Sequence, residues 1–325
     1  MNKFKKYINN VNISRFRFWF QIFAFIIMVY GGFLSIDIGE NLPTFSCPYI
    51  DKGGGTCFLM GLQHRFTLPI DQLISFRGLA VLTSVLFFVS WFIFFNKAWC
   101  GYICPLGTLQ DWFTKLRQKI GIRYSNYSEA KFKKLKKIKY ILLGLLILIP
   151  IFMANSIPFI GKLSHDWAVP FCMICPGRTV LPLFQGDASQ LVIDYGSKTK
   201  MIFTVLGMAI TGMFFAGAFF KKRFFCFFCP MSALQFIFKK LGFLRLIKDG
   251  TKCTKCGDCY RACDMGIREI ADDIESKDII KDDCMMCFKC VAACPEEKCL
   301  KVNFLGKTIY EATEEGFYKR QKGKK

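Results

Sequence analysis

The chain has 325 residues, 53% apolar and only 21% charged, with 37 Phe, 17 Cys and a formal net charge of +21. Its mean hydropathy is +0.30. Ordinary soluble domains are less apolar and more charged, so a cytosolic DNA-binding domain and a disordered basic protein are both excluded, and the cysteine count points to metal or disulfides.

Four runs lack any charge and are long enough to cross a hydrocarbon core of about 30 Å as helices. They are Phe18–Ile36, Gly78–Phe95, Tyr140–Ile157 and Met201–Phe220. Backbone groups in lipid must bond one another, which predicts helices. The first run follows Lys3, Lys5 and Lys6 as a secretion signal would. It is long, however, and no small-residue cleavage site follows, so a retained helix is expected. Between the runs the charge alternates. Residues 1–17 hold five Lys/Arg and no acid, 96–139 hold eleven and two, and 221–325 hold twenty-two and fifteen. Residues 37–77 hold three Lys/Arg against four acids, and 158–200 hold four against three. The positive-inside rule then predicts an inner-membrane protein with both termini cytoplasmic and two loops outside. The net charge is read as this signature plus attraction to anionic membrane lipid. No nucleic-acid partner is expected.

The first outer loop carries Cys47 and Cys57 around Gly53, Gly54 and Gly55, and the second carries Cys172-Met-Ile-Cys175-Pro176. Four thiols from two loops suit a metal cluster, but an oxidising exterior equally suits disulfides; these readings and that of free thiols stay open. His64 and His165, the chain's two histidines, also fall in these loops.

The segments after the second and fourth runs look alike. Lys97-Ala-Trp-Cys100-Gly-Tyr-Ile-Cys104-Pro105 continues to Gln110, and Arg223-Phe-Phe-Cys226-Phe-Phe-Cys229-Pro230 continues to Gln235. Cys104, Pro105 and Gln110 precede Cys229, Pro230 and Gln235 by 125 residues, and Cys47-Pro48 precedes Cys175-Pro176 by 128. The membrane part therefore reads as two pseudo-repeats. Proline suits the first turn of a helix, whose free N–H groups attract anions. Cys100, Cys104, Cys226 and Cys229 are thus expected to hold a third iron–sulfur cluster, with Lys97, Lys221, Lys222 and Arg223 to offset its charge. The helix after Pro105 places Leu109, Trp112, Phe113, Leu116 and Ile120 on one face, as an interfacial helix does.

After Gly250 the Phe runs stop and acids appear. Cys253, Cys256, Cys259 and Cys263 are spaced x2, x2, x3, and so are Cys284, Cys287, Cys290 and Cys294, which Pro295 follows. This is the bacterial two-cluster ferredoxin spacing, in which the fourth Cys of each run ligates the other cluster. The expected sets are Cys253, Cys256, Cys259 and Cys294 for one [4Fe–4S] cluster, and Cys284, Cys287, Cys290 and Cys263 for the other. Asp264 stands where Pro usually follows the fourth Cys. Cys299 is left over. No haem attachment motif, Walker loop or Rossmann fingerprint is present, and no catalytic acid, base or nucleophile is evident.

The expected fold is a mainly α membrane protein: a basic N-terminus at 1–17, a four-helix membrane domain at 18–249, a small α+β two-cluster ferredoxin domain at 250–305 and a basic tail at 306–325. Four helices, two inner Cys-Pro turns and this tail resemble the NapH/NosR/CcoG-type membrane iron–sulfur proteins from about residue 16 to 305. The layout is nearest to a NapH-like quinol dehydrogenase component. The resemblance implies ligation by the inner and tail cysteines, exchange of electrons with quinone or quinol, and a redox partner within a larger complex. CcoG-type relatives imply the alternative of metal-cofactor or oxidase assembly, and a redox-sensing subunit is a third. The second turn departs from the family pattern, with two residues between its Cys instead of three. The outer quartet is no part of that pattern.

Overall fold

The structure is a computed structural model that describes residues 3–39, 46–122, 129–155, 165–237, 242–280 and 283–322. It is mostly helical, with one small antiparallel sheet and a C-terminal ferredoxin domain. Four helices are long and apolar enough to cross a membrane: Ile13–Leu34, Gly78–Phe95, Lys137–Ala154 and Lys198–Phe220. Only 22% of the second and third windows is buried inside the protein, and Leu82, Leu86, Ile141, Leu145, Ile202 and Met213 are exposed. Apolar surface of this extent marks a lipid or partner contact.

The span boundaries differ from those the charge-free runs give. The first helix starts at Ile13 and carries Arg15 and Arg17 inside it, then tightens into a 3₁₀ turn at Gly31–Leu34. The third belongs to a helix that begins at Glu129 and ends at Ala154; positions 156 and 157 lie outside the described residues.

The chain divides into two compact units. One comprises Met1–Ile22, Phe92–Tyr102 and Gln235–Lys325. Its sheet has the order β1 (Leu244–Lys248), β2 (Leu300–Phe304), β3 (Lys307–Glu311), all antiparallel. The strands thus lie before and after the two cysteine runs. Leu244 and Leu246 alternate inward with Arg245 outward, the period-two pattern of a half-buried strand. Leu246, Ile267, Ile270, Val291, Leu300 and Val302 are each about 1% exposed or less and make the core. The helix Lys3–Asn10 joins this unit, where Asn9 Oδ1 accepts the Glu311 N–H at 3.1 Å.

The other unit comprises Phe23–Trp91 and Ile103–Leu234. Phe58 stacks on Phe88 with centroids 3.9 Å apart. Gln185 Nε2 donates to the Val29 carbonyl at 2.6 Å, and the Tyr30 hydroxyl to the Phe184 carbonyl at 2.5 Å, fastening the end of the first span to the loop after Pro176.

Candidate functional site

The tail folds its two cysteine runs into matching backbones. Lys255 and Gly257 have φ of 55° and 76°, and Met286 and Phe288, each 31 positions later, have 50° and 59°. Gly257 and Phe288 each start a short helix, Asp258–Arg261 and Lys289–Ala292. Each left-handed residue turns the loop so that three thiols face inward. At Phe288 this conformation costs roughly 1 kcal/mol that Gly257 avoids.

The thiols surround two recesses of about 330 and 320 Å³, mouths included. Cys253, Cys256, Cys259 and Cys294 line the first, and Cys263, Cys284, Cys287 and Cys290 line the second. The three-plus-one crossing read from the spacing is therefore the grouping the fold makes. None of the seventeen cysteines is in a disulfide. Among the described residues, no group of three or more His, Cys, Asp or Glu is arranged to hold a single metal ion. Four soft thiols lining one recess fit a polynuclear iron–sulfur group. Burial pushes the Cys263 and Cys284 thiols up to about 12 from 9.0, and the neighbouring Cys287 adds to both. Protonated thiols are thus the metal-free state, and metal binding must release those protons.

The two sets differ in surroundings. Cys256 is exposed, whereas Cys284, Cys287 and Cys290 are buried. Beside the first recess, the buried ammonium of Lys248 donates to the carbonyls of Ile270, Ala271 and Asp273 at 2.9, 3.0 and 2.7 Å. Cys299 also borders this recess, with its sulfur 3.5 Å from the Asp249 carbonyl.

Asp264 is not a bare negative charge at the second set. Its Oδ2 accepts from Arg17 Nη1 at 2.8 Å and from Lys289 Nζ at 2.6 Å. Burial opposes its ionisation, yet Lys289 and Arg17 together hold the carboxyl well below the usual range. Arg17 also donates from Nε to the Gly101 carbonyl at 2.7 Å. Gly101 lies so close to Met285 that a Cβ on it would sit 2.5 Å from the Met285 oxygen. The Tyr102 hydroxyl donates to the Cys287 carbonyl at 3.3 Å. The segment carrying Cys100 is thereby clamped against the second cysteine run, with Cys100 donating from its sulfur to Gln235 Oε1 at 2.8 Å. Gln235 is fully buried, and its Nε2 has no partner. An amide turned over would present that N–H to a Cys100 thiolate.

Cys104, Cys226 and Cys229 belong to the other unit. Cys104 caps the helix Pro105–Ile120, and Cys229 precedes the helix Pro230–Ile237, each with Pro at the first position. Gln110 accepts the Phe225 N–H at 2.9 Å and lies 3.8 Å from the Cys226 sulfur. The duplicated glutamines therefore each reach the first Cys of the opposite turn. Arg223 forks onto Asp111, with Nε–Oδ1 at 2.8 Å and Nη2–Oδ2 at 2.6 Å. Its charge is committed to that carboxylate rather than held in reserve for a cluster. Arg117 donates to the Phe219 carbonyl at 2.7 Å. The buried side of this helix is thus Leu106, Leu109, Gln110, Thr114 and Arg117, while Leu116 and Ile120 are exposed. Sequence reasoning missed Gln110 and Arg117 as buried anchors. The repeat, which aligned Gln110 with Gln235, was the signal for the first; Arg117 had none.

In the outer loops, Cys47 neighbours Cys175 and Cys57, and Cys172 neighbours Cys57 and Cys47. The fold therefore brings this quartet together. His64 and His165 are both exposed.

A 4Fe-4S binding domain matches twice, at residues 77–123 and 203–248, once on each Cys-Pro turn. A 4Fe-4S dicluster domain matches residues 245–295. Uncharacterized protein MJ0750 of Methanocaldococcus jannaschii is 26% identical over 74% of this chain and 84% of its own length. YccM of Escherichia coli, named for electron transport, is 24% identical over 73% of this chain and 59% of its own. Ferredoxin-type protein NapH of Haemophilus influenzae is 24% identical over 71% of this chain and 74% of its own. No solved structure matches the chain. Fold, thiol recesses and matches together define an iron–sulfur membrane protein with ferredoxin domains. Within that class it is similar to the ferredoxin-type NapH proteins and to YccM.

Proposed function

We propose that the chain relays single electrons between the quinone pool, or a redox partner, and [4Fe–4S] clusters in its tail, with both termini cytoplasmic. The observation that carries this reading is the crossed grouping of eight thiols around two recesses. Cys253, Cys256, Cys259 and Cys294 would hold one cluster, and Cys284, Cys287, Cys290 and Cys263 the other. Cys100, Cys104, Cys226 and Cys229 are proposed as ligands of a third, a reading supported by the double match of the 4Fe-4S binding domain. Bound, these groups supply one-electron transfer.

The chain's own residues place and tune them. Arg17, Asp264 and Lys289 fix the second cysteine run against the Gly101–Tyr102 segment beside Cys100. Lys248 puts a buried positive charge beside the first set, which favours its more reduced, more negative state. Exposure of Cys256 makes the first set the face for a docking partner. The test is anaerobic mixing of the chain in lipid nanodiscs with menaquinol. Reduction of the clusters, followed by EPR, is the expected result. Failure of quinol to reduce them, alone and with a cognate partner, would overturn the quinone half of the reading.

A further inference from the structure

We propose that Cys47, Cys57, Cys172 and Cys175 form a further metal-cluster site, on the side of the membrane opposite the Cys-Pro turns, which takes a [4Fe–4S] group. All four lie in one unit, in the connections between the first and second spans and between the third and fourth. In a four-span chain these two connections share a side. Cys47 and Cys172 are buried, Cys57 and Cys175 are half-buried, and none is in a disulfide.

The surroundings of the sulfurs suit an anion. Cys57 stands at the N-cap position of the helix Phe58–Phe66 and Cys175 at that of the helix Pro176–Leu183, neither with a side-chain cap hydrogen bond. Each of these two sulfurs therefore stands beside the first-turn N–H groups of a helix, which attract anions. Gln63, fully buried, donates from Nε2 to the Cys172 sulfur at 3.2 Å. That amide is aimed by its own bonds, with Oε1 accepting the Phe171 N–H at 3.2 Å and Nε2 also donating to the Leu59 carbonyl at 2.9 Å. The Arg178 guanidinium lies over the Tyr49 ring at 4.7 Å, close enough to favour the charged forms of Cys47 and Cys172.

Neutral thiols and disulfides are weak acceptors and need none of this. Four thiolates on a 2+ core carry about −2 in total. Two helix N-termini contribute about half a positive charge each, and Arg178 contributes a full one. Four thiols gathered beside the Gln63 amide and the Arg178 guanidinium are a good ligand set for an anionic cluster.

The test uses the 325-residue chain, purified anaerobically in nanodiscs. Cys57→Ser/Cys175→Ser should lower both iron and acid-labile sulfide by about four per chain and leave the tail-cluster EPR signals unchanged. An unchanged iron content overturns the proposal. Because that variant is exposed to misfolding, the unaltered chain supplies a second measurement. After anaerobic denaturation with a chelator and an alkylating agent, mass spectrometry should recover all four cysteines as alkylated thiols. A disulfide linking any two of them overturns the proposal. Arg178→Gln should keep the iron and lower the midpoint potential of this cluster alone; a potential that does not move refutes the assigned role of Arg178.

Discussion

Replacing Arg17 by Met should unfasten the second cysteine run. The Arg17 and Asp264 side chains are 2% and 7% exposed and 2.8 Å apart. Removing one partner of a buried pair costs about 3–5 kcal/mol, because the other charge is left buried. Lys289 remains on the same Asp264 oxygen at 2.6 Å, so the lower end, about 3 kcal/mol, applies. That is roughly a hundredfold in rate if the contact is lost before the unfolding barrier. Unfolding here is irreversible once iron leaves, so the useful quantity is a half-life. The assay is anaerobic bleaching of the visible iron–sulfur absorption in denaturant. Arg15→Met is the control, since Arg15 lies on the same helix and is exposed. It removes the same charge without touching the network. Asp264→Asn completes a double-mutant cycle. The reasoning fails if Arg17→Met accelerates bleaching by no more than about fivefold, the ceiling for an exposed pair, or if the two changes are additive.

Gly101→Ala should destabilise the same region by about 1–3 kcal/mol, because the new methyl would stand 2.5 Å from the Met285 oxygen. Gly144→Ala, with nothing within 4 Å of its Cβ, should not, and equal half-lives for the two variants would contradict the packing. Cys104→Ser/Cys229→Ser should remove about four irons while the tail signals persist, as measured by iron analysis and EPR. In the metal-free chain, Cys57, Cys263 and Cys284 stay protonated to about 11, 12 and 12 instead of 9.0. A folded-state pKa above the unfolded one means the folded chain holds extra protons, so their contribution to stability is complete below about pH 9 and declines as pH rises toward 11–12. Alkylation of Cys57 in that form, followed by mass spectrometry, should rise with a midpoint near 11; a midpoint near 9 would contradict the burial.

The spans were legible because lipid tolerates only internally bonded, charge-free runs, and runs of that kind stand out by length alone. The first boundary was not. Arg15 and Arg17 mark a topological end by composition, yet Arg17 lies inside the helix because its partner Asp264 is 247 positions away. The grouping of the tail thiols was readable from spacing, since three thiols two residues apart can wrap one recess and the fourth cannot join them. What spacing could not give was the polar clamp around them: Lys248 on three carbonyls, Arg17 on Gly101, and the swapped contacts of Gln110 and Gln235. The apolar stripe after Pro105 suggested which face would turn away from water. The face that packs inward is mixed: Leu106 and Leu109 are buried beside Gln110, Thr114 and Arg117, whose partners are backbone carbonyls, an N–H group and a thiol.

The most direct measurement is iron and acid-labile sulfide per chain, taken with EPR, on anaerobically purified protein. At least about eight of each, with spectra of two interacting [4Fe–4S] centres that vanish in Cys256→Ser/Cys287→Ser, is the expected result. Colourless protein with zinc or disulfides on Cys253–Cys294 would contradict the account at its base.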